Sequence, residues 1–447
     1  WSTGKSWKSG YPCASCEMAY MAAYNGETGV YLGMHDPNVD YVTLFATGDA
    51  NNRAATLGFE TLAPNDGVIG NDYDRDAVIE LSITTGWYEA AMHYREWVSN
   101  NAVWWPEIDE NGRVDTPQWF KELNVWTKTE NWNGETPADT TRLVLGFQEY
   151  MDMPVGNHWY RWHDCLMDGD FPEYFPAKDG FAEAVMIQQD NNFYVMPYQN
   201  ALLWESTTDS SKNENAESAA CKKPNGEMYL GAWNVATGKL ASMCSFTELW
   251  QDKVAEFTMK LFNDYDVMGG YQDMVGLWPI QACYDESHGH TVGGGNYWVG
   301  GYQTLYEKLR AQLREEKGDD RILTTEGTAD AYTSCFDAQL AYVFSYGGGL
   351  EKVPAVHAVL AGATQLMGRY YSLGESDLIW RQKNARSFVW GEQLGWCDAN
   401  IYDAPTKGSY LRDTAKVRDQ INQYLYAGRS EERRVGKECR SRWSPYH

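Results

Sequence analysis

Two acidic residues in this 447-residue chain follow apolar runs in the way that catalytic carboxylates follow barrel strands. Asp273 comes after the run 267–271, and Glu326 comes after the run 321–325. Cleavage of a glycosidic bond needs one carboxyl group to protonate the departing oxygen and another to attack the anomeric carbon or activate water. Either acid alone could simply cap a helix, but two at successive strand ends predict this chemistry.

The segment CYDESHGHTVGGGNYW, residues 283–298, is the most distinctive in the chain. His288 and His290 flank one residue, a spacing that occurs in zinc sites, and Asp285 is close in sequence. We expect these side chains to reach sugar hydroxyls instead, because no companion Asp-x-His or His-Glu pair is evident. A metal-dependent hydrolase with His158 or His163 as third ligand is the alternative. The glycosidase interpretation requires no cofactor.

Further polar and aromatic residues lie near predicted strand ends or in turns, where they could hold a substrate. For each one alone, packing or turn formation is the commoner role. The candidate substrate-binding residues are His35, Asp36, Trp132, Trp162, His163, Tyr198, Asn200, His288, His290, Trp298 and Glu392.

The composition favours a carbohydrate partner. The chain has 20 Trp, 30 Tyr and 14 Phe, and aromatic faces stack on sugar rings, although a large aromatic core would need them equally. The net charge of −25 disfavours nucleic acid and anionic membrane surfaces as partners. No apolar stretch reaches the roughly 18 residues that predict a membrane-spanning helix. The oligomeric state and the cellular compartment are not indicated, although a secreted or periplasmic location is slightly favoured.

The predicted secondary structure that would position these residues changes near residue 110. Residues 1–110 show short alternating runs separated by Asn, Asp and Gly, which predict a partial β-sandwich. Residues 111–428 alternate strands with helices, so we predict an α/β fold with a TIM-type (β/α)8 barrel. Active sites of such barrels lie at the carboxyl ends of the strands. The polar segment 205–244 predicts a long loop or lid over that end.

The predicted barrel strands and helices follow from the hydrophobic periodicity. The strands are expected at 123–126, 158–162, 193–197, 267–271, 321–325, 353–360 and 387–389. The helices are expected at 137–150, 180–189, 247–262, 302–316 and 411–426, after a connecting helix at 87–98.

The last nineteen residues, 429–447, match the translation of a common sequencing adapter, and we exclude them from the fold. The chain also begins at Trp1 without a preceding Met. We therefore expect a metagenomic fragment that is truncated at both ends, with an adapter-derived, non-native tail.

Several strings resemble one family of large bacterial proteins, described as a domain of unknown function with a glycosidase-like barrel. They are GVYLGMHDP, WYEAAMHYREWV, YFPAKDGFAEAV, CYDESHGHTVGGGNYWVGGY, LTTEGTADAY and VWGEQLGW, and the resemblance covers nearly all of residues 15–428. The barrel of that family is similar to those of endo-α-N-acetylgalactosaminidases and, more distantly, α-galactosidases.

The resemblance implies an Asp nucleophile at the end of the fourth barrel strand and a Glu acid/base after the fifth. Asp273 and Glu326 stand at those places. Gln272 and Met274 depart from the pattern, in which an apolar residue precedes the Asp and a Gln follows it. The implied activity is retaining hydrolysis of α-glycosidic bonds in oligosaccharides, polysaccharides or glycans. The alternative to an enzyme is a non-catalytic carbohydrate-binding barrel.

Overall fold

The computed structural model describes residues 6–25, 27–49, 54–130, 134–233, 235, 238–341, 353–369 and 371–428. Trp132 and the predicted adapter-derived tail lie outside these residues. The described strands are β1 (Ser6–Tyr11), β2 (Tyr20–Tyr24), β3 (Gly29–His35), β4 (Val42–Asp49), β5 (Ala54–Thr61), β6 (Val78–Thr84), β7 (Ile108–Asp109), β8 (Gly112–Arg113), β9 (Val125–Thr129), β10 (Val155–Trp159), β11 (Phe193–Asn200), β12 (Leu203–Glu205), β13 (Leu230–Gly231), β14 (Leu240–Ser242), β15 (Gly269–Asp273), β16 (Ile322–Glu326), β17 (Ala338–Leu340), β18 (Gln365–Met367) and β19 (Leu394–Asp398). The described α-helices are α1 (Trp87–Asn101), α2 (Gln118–Glu122), α3 (Pro137–Met151), α4 (Phe181–Asp190), α5 (Asp209–Asn213), α6 (Glu248–Tyr265), α7 (Tyr297–Lys317), α8 (Ala355–Val359), α9 (Asp377–Trp390), α10 (Pro405–Gln420) and α11 (Asn422–Tyr426).

The first six strands form two antiparallel sheets, in the orders β1-β4-β5 and β2-β3-β6. Successive side chains of a strand point to opposite faces. The alternate residues Val42, Leu44 and Ala46 of β4 are accordingly buried in the core. These sheets are consistent with the predicted sandwich.

The barrel is a parallel sheet of eight strands, in the order β18-β17-β16-β15-β11-β10-β9-β19. A parallel bridge between Met367 and Gln393 links β18 to β19, so the barrel is nearly closed. The strands β9, β10 and β15 are buried along their whole length, as expected where helices cover the outer face and side chains fill the interior. The predicted TIM-type fold is confirmed. Within this order β15 is the fourth strand along the chain and β16 is the fifth.

The prediction of the last barrel strands was wrong. The run 353–360 is largely helix α8, and the run 387–389 belongs to helix α9. The real strands, β17, β18 and β19, include two of only three residues, which is too short for an alternating pattern to identify. Glu392 therefore precedes the last strand instead of ending one.

The polar segment 205–244 is more ordered than the predicted loop. It includes helix α5 and, together with residues 203–204, an antiparallel sheet in the order β12-β14-β13. Among the helices of the described residues, none has the combination of length and apolar character that crossing a bilayer requires.

A buried carboxyl group joins the N-terminal part of the chain to the barrel. The Oη atoms of Tyr11 and Tyr94 donate hydrogen bonds to Asp330, at 2.7 and 2.6 Å. Asp330 follows β16 and has no exposed surface. Burial raises the pKa of Asp330 from 3.8 to about 7, even though the two tyrosine hydrogen bonds favour the ionised form.

This raised pKa predicts that the protein loses stability as the pH rises. The folded state holds the Asp330 proton more tightly than the unfolded chain does. The contribution of Asp330 is therefore complete below about pH 4 and is lost progressively until the pH passes about 7. The loss should be up to about 4 kcal/mol, at about 1.4 kcal/mol per pKa unit. Urea unfolding of wild type and Asp330→Asn at about pH 5 and pH 8 measures it.

The Asn variant has no proton to lose, so its unfolding midpoint should change less between the two pH values than that of wild type. Asp319→Asn, a change at an exposed loop carboxylate, serves as the matched control. Its unfolding midpoint should change between the two pH values as much as that of wild type. If the unfolding midpoints of wild type and Asp330→Asn changed equally between the two pH values, Asp330 would not titrate between them.

Candidate active site

Asp273 and Glu326 are the last residues of the neighbouring strands β15 and β16. The strands are parallel, and Gln272 pairs with Thr325, so the next residue of each strand lies at the same carboxyl end. The structure places the two side chains within hydrogen-bonding reach of each other.

Two neighbouring side chains of β11 hold the Asp273 carboxylate in place. Tyr198 Oη donates to Asp273 Oδ2 at 2.6 Å, and Asn200 Nδ2 donates to the same oxygen at 3.2 Å. The Asn200 amide is fixed in turn, because its Oδ1 accepts the backbone N–H groups of Leu202 and Leu203, at 3.0 and 2.9 Å. That pairing leaves only the NH2 group of Asn200 to face the carboxylate.

Opposing electrostatic effects act on the Asp273 carboxyl group. Burial raises the pKa of Asp273, while the hydrogen bonds from Glu326 and Tyr198 lower it and the nearby charge of Asp168 raises it further. Asp273 receives hydrogen bonds from O–H and N–H donors that favour a carboxylate. Burial is the largest of these effects, so the pKa of Asp273 is raised overall.

The two acids open onto a cavity of about 330 Å³, within the range of small-molecule sites. Two tryptophans on different loops form part of its wall, Trp233 and Trp278, with ring centroids 5.7 Å apart. Indole faces of this kind can stack on sugar rings. The cavity is lined by Glu130, Tyr160, Arg161, Met167, Asp168, Tyr198, Asn200, Leu203, Trp233, Asp273, Met274, Leu277, Trp278 and Glu326.

Several of these lining residues were missed by the sequence analysis. Tyr160 and Arg161 come directly after β10, and Tyr160 stacks on Tyr198 with ring centroids 4.9 Å apart. The predicted strand ended at Trp162, three residues later than β10, so the candidates became Trp162 and His163. A second signal is visible only in the structure: Arg161, Asp168 and Met274 have positive φ angles of 49°, 61° and 75°. Such backbone strain in non-glycine residues concentrates at functional sites.

Trp162 and His163 lie in the core and not in the wall of the cavity. Trp162 is fully buried, and its Nε1 donates to the Tyr198 carbonyl at 2.8 Å, so it supports the strand that carries Tyr198. His163 Nδ1 contacts Cys165 Sγ at 3.0 Å, and burial lowers the pKa of His163 to about 3.

The two candidates of the N-terminal sheets also lie outside the cavity wall. His35 shares a hydrogen bond of 2.8 Å with Tyr31 Oη and stacks on Trp97, with ring centroids 4.6 Å apart. Asp36 forms an ion pair with Arg75. Both residues have structural partners, and their role in substrate binding stays a prediction.

Glu392 is fully buried before the first residue of β19 and does not meet Asp273 and Glu326. It forms an ion pair with Arg369 and accepts from His357 Nε2 at 2.7 Å. Burial alone would raise the pKa of Glu392, but these two partners lower it to about 2. The expectation that Glu392 ends a barrel strand was therefore wrong, and its role in substrate binding stays a prediction.

The remaining candidates lie on or before α7. Trp298 is buried in that helix, where its carbonyl accepts from Ser245 Oγ at 2.7 Å. His288 and His290 do not line the cavity. They face two thiol groups, those of Cys244 and Cys283.

The chain is similar in sequence to a protein family and to a curated protein. The family described as "Domain of unknown function (DUF6259)" matches residues 73–371. A protein of Bacteroides thetaiotaomicron named "Putative glycoside hydrolase" is 28% identical over 348 residues, which are 77% of this chain and 50% of that protein. The chain thus spans about half the length of the curated relative that it matches.

Solved structures share the fold at low sequence identity. The ligand-free α-N-acetylgalactosaminidase NagBb from Bifidobacterium bifidum matches 92% of this chain and 70% of its own, with a TM-score of 0.70 and 12% identity. The GH36 α-galactosidase AgaB from Geobacillus stearothermophilus matches 95% of this chain and 58% of its own, with a TM-score of 0.58 and 8% identity. These matches confirm the expected similarity of the barrel to those of α-N-acetylgalactosaminidases and α-galactosidases.

Proposed function

The chain belongs to the DUF6259 family, and from its site we propose that it is a glycoside hydrolase that cleaves α-glycosidic bonds with retention of configuration. The observation that carries the proposal is that Asp273 and Glu326, at the ends of neighbouring strands, line one cavity within hydrogen-bonding reach of each other. Two acids at the ends of successive barrel strands, one of them held by hydrogen-bond donors, are the pair that the reaction needs.

In the first step, Asp273 attacks the anomeric carbon as the bond to the departing oxygen breaks, and Glu326 gives its proton to that oxygen. The product is an ester between the sugar and Asp273. In the second step, Glu326 takes a proton from water, the water oxygen bonds to the anomeric carbon, and the ester breaks to restore the Asp273 carboxylate. Tyr198 and Asn200 hold the oxygen of Asp273 that does not attack.

Three further observations support a carbohydrate substrate, and the first of them also supports an α-linkage. The related protein of Bacteroides thetaiotaomicron is named "Putative glycoside hydrolase", and the solved structures of similar fold include an α-N-acetylgalactosaminidase and an α-galactosidase. The aromatic wall formed by Trp233 and Trp278 suits the apolar face of a sugar ring. The cavity also exposes the acidic side chains of Glu130 and Asp168, which can accept hydrogen bonds from hydroxyl groups.

The test is hydrolysis of aryl α-glycosides of N-acetylgalactosamine, galactose and glucose, followed by proton NMR. We expect turnover of at least one of them, with the α-anomer of the free sugar formed first and the β-anomer appearing only by mutarotation. Initial release of the β-anomer would overturn the retaining mechanism. Sugar binding without turnover of any α- or β-glycoside would favour the non-catalytic carbohydrate-binding barrel.

A further inference from the structure

Four metal-binding side chains converge outside the cavity. Cys244 follows the small sheet β12-β14-β13, while Cys283, His288 and His290 lie in the loop between β15 and α7. One potential ligand atom from each lies within 4.8 Å of all the others. Cys244 Sγ lies 3.4 Å from His290 Nε2, and Cys283 Sγ lies 3.5 Å from His288 Nδ1. In a tetrahedral zinc site with bonds of about 2.3 Å to sulfur and 2.0 Å to nitrogen, the two kinds of ligand lie about 3.5 Å apart.

Both imidazole rings present an unprotonated nitrogen to the thiol groups. His288 Nε2 lies 3.0 Å from the Ser218 carbonyl, and His290 Nδ1 lies 2.8 Å from the Thr291 carbonyl. A carbonyl can only accept, so each of these nitrogens is the one that carries the hydrogen. The opposite nitrogen of each ring, which faces a thiol group, therefore has a free lone pair. Backbone carbonyls orient the histidine ligands of metal sites in this way.

The surroundings fix the cluster in place. The His290 ring stacks on Tyr297, with centroids 3.8 Å apart and planes inclined by 6°. The Tyr297 hydroxyl accepts the backbone N–H of Cys283 at 2.6 Å, so one side chain positions two members of the cluster. The cysteines are buried and do not form disulfides. A third thiol, that of Cys221, lies next to those of Cys244 and Cys283.

We propose that Cys244, Cys283, His288 and His290 bind one zinc ion with a structural role. Sulfur and imidazole ligands select zinc over calcium or magnesium, which prefer oxygen. On binding, each of the two thiols releases its proton to solvent, and the two thiolates neutralise the charge of Zn²⁺ in the buried site. Four protein ligands fill the tetrahedral shell and leave no position for a substrate, as in structural zinc sites.

A structural zinc site gives the histidine pair a role that differs from both predicted roles. His288 and His290 suggested either a sugar contact or a hydrolytic metal, but a closed site outside the cavity fits neither role. The ion would tie the segment that contains Cys244 to the loop that contains Cys283. The same two segments carry the cavity tryptophans, Trp233 and Trp278. Zinc would therefore set the spacing of the aromatic wall without taking part in the reaction.

The experiment is metal analysis of the full chain purified without chelator, by inductively coupled plasma mass spectrometry. We expect about one zinc per chain in wild type and in Cys221→Ala, in which the neighbouring thiol is removed. His288→Gln/His290→Gln should contain less than about one tenth as much. Cys335→Ala and His93→Gln, which change a buried thiol and a histidine outside the cluster, are the matched controls and should keep the metal.

A second measurement guards against variants that fail to fold. Wild type is stripped with a chelator, dialysed and titrated with Co²⁺ alone. A site with two thiolates and two imidazoles should give the strong visible absorption of tetrahedral cobalt at one equivalent, and zinc should displace it and raise the thermal unfolding midpoint. Failure of stripped wild type to bind either ion, or zinc retained by the double histidine variant, would overturn the proposal and leave a cluster of thiol–imidazole hydrogen bonds. Because these readouts do not involve turnover, they are independent of the proposed hydrolase activity.

Discussion

Asp273→Asn is expected to lower kcat on every substrate by about 10⁴-fold or more, the range seen when a nucleophilic residue of an enzyme is removed. The amide oxygen can still accept the hydrogen bond from Tyr198, and the side chain keeps its volume, so the fold should be unchanged. What the amide lacks is the negative charge that attacks the anomeric carbon and forms the ester. Initial rates with an aryl α-glycoside, together with the thermal unfolding midpoint, provide the measurement.

The matched control for this prediction is Asp252→Asn, the same substitution at an exposed position of α6. It should keep wild-type rates. If Asp273→Asn turned over substrate within tenfold of wild type, Asp273 would not be the nucleophile. Asp168, the other aspartate of the cavity wall, would then be the first residue to test.

The barrel and its acidic pair could be predicted because local pattern and topology agree there. Each of the first five barrel strands has five residues or more, and helices of clear period lie between them. In a parallel barrel the ends of such strands share one rim, so Asp273 and Glu326 must be neighbours if the strands are predicted correctly. The separation of the two carboxyl groups does not follow from this argument, because it depends on side-chain conformation and on which member holds a proton.

The parts that sequence could not supply depend on contacts between distant segments. Cys244 and Cys283 are separated by a strand, a long helix and a loop, and no short spacing marks them as partners. Trp233 and Trp278 reach the cavity from two irregular loops, for which hydrophobic periodicity carries no information. The wrong prediction for Glu392 has a local cause instead: a charged residue after an apolar run resembled the end of a strand. In the structure that run is the last turn of a helix, and the charge is neutralised by Arg369.

Glu326→Ala is expected to lower kcat by about 10²–10⁴-fold, the usual contribution of a general acid and base. The loss should depend on the substrate. A leaving group such as dinitrophenolate departs without a proton, so formation of the sugar ester on Asp273 should stay fast while its hydrolysis becomes slow. A burst of phenolate followed by slow turnover would show this. Sodium azide should then restore turnover by at least about tenfold, because a small anion fits the space left by the carboxyl group and needs no base to activate it.

The configuration of the product identifies the role of Glu326. Azide that attacks the ester from the side opposite Asp273 gives the α-glycosyl azide, which is the configuration of the substrate, and NMR distinguishes it from the β-form. Glu130→Ala is the matched control, since Glu130 is another glutamate of the same cavity and its loss leaves the acid/base in place. Azide should not accelerate that variant. A β-glycosyl azide from Glu326→Ala, or no rescue at any azide concentration, would show that Glu326 does not act as the acid and base of a retaining reaction.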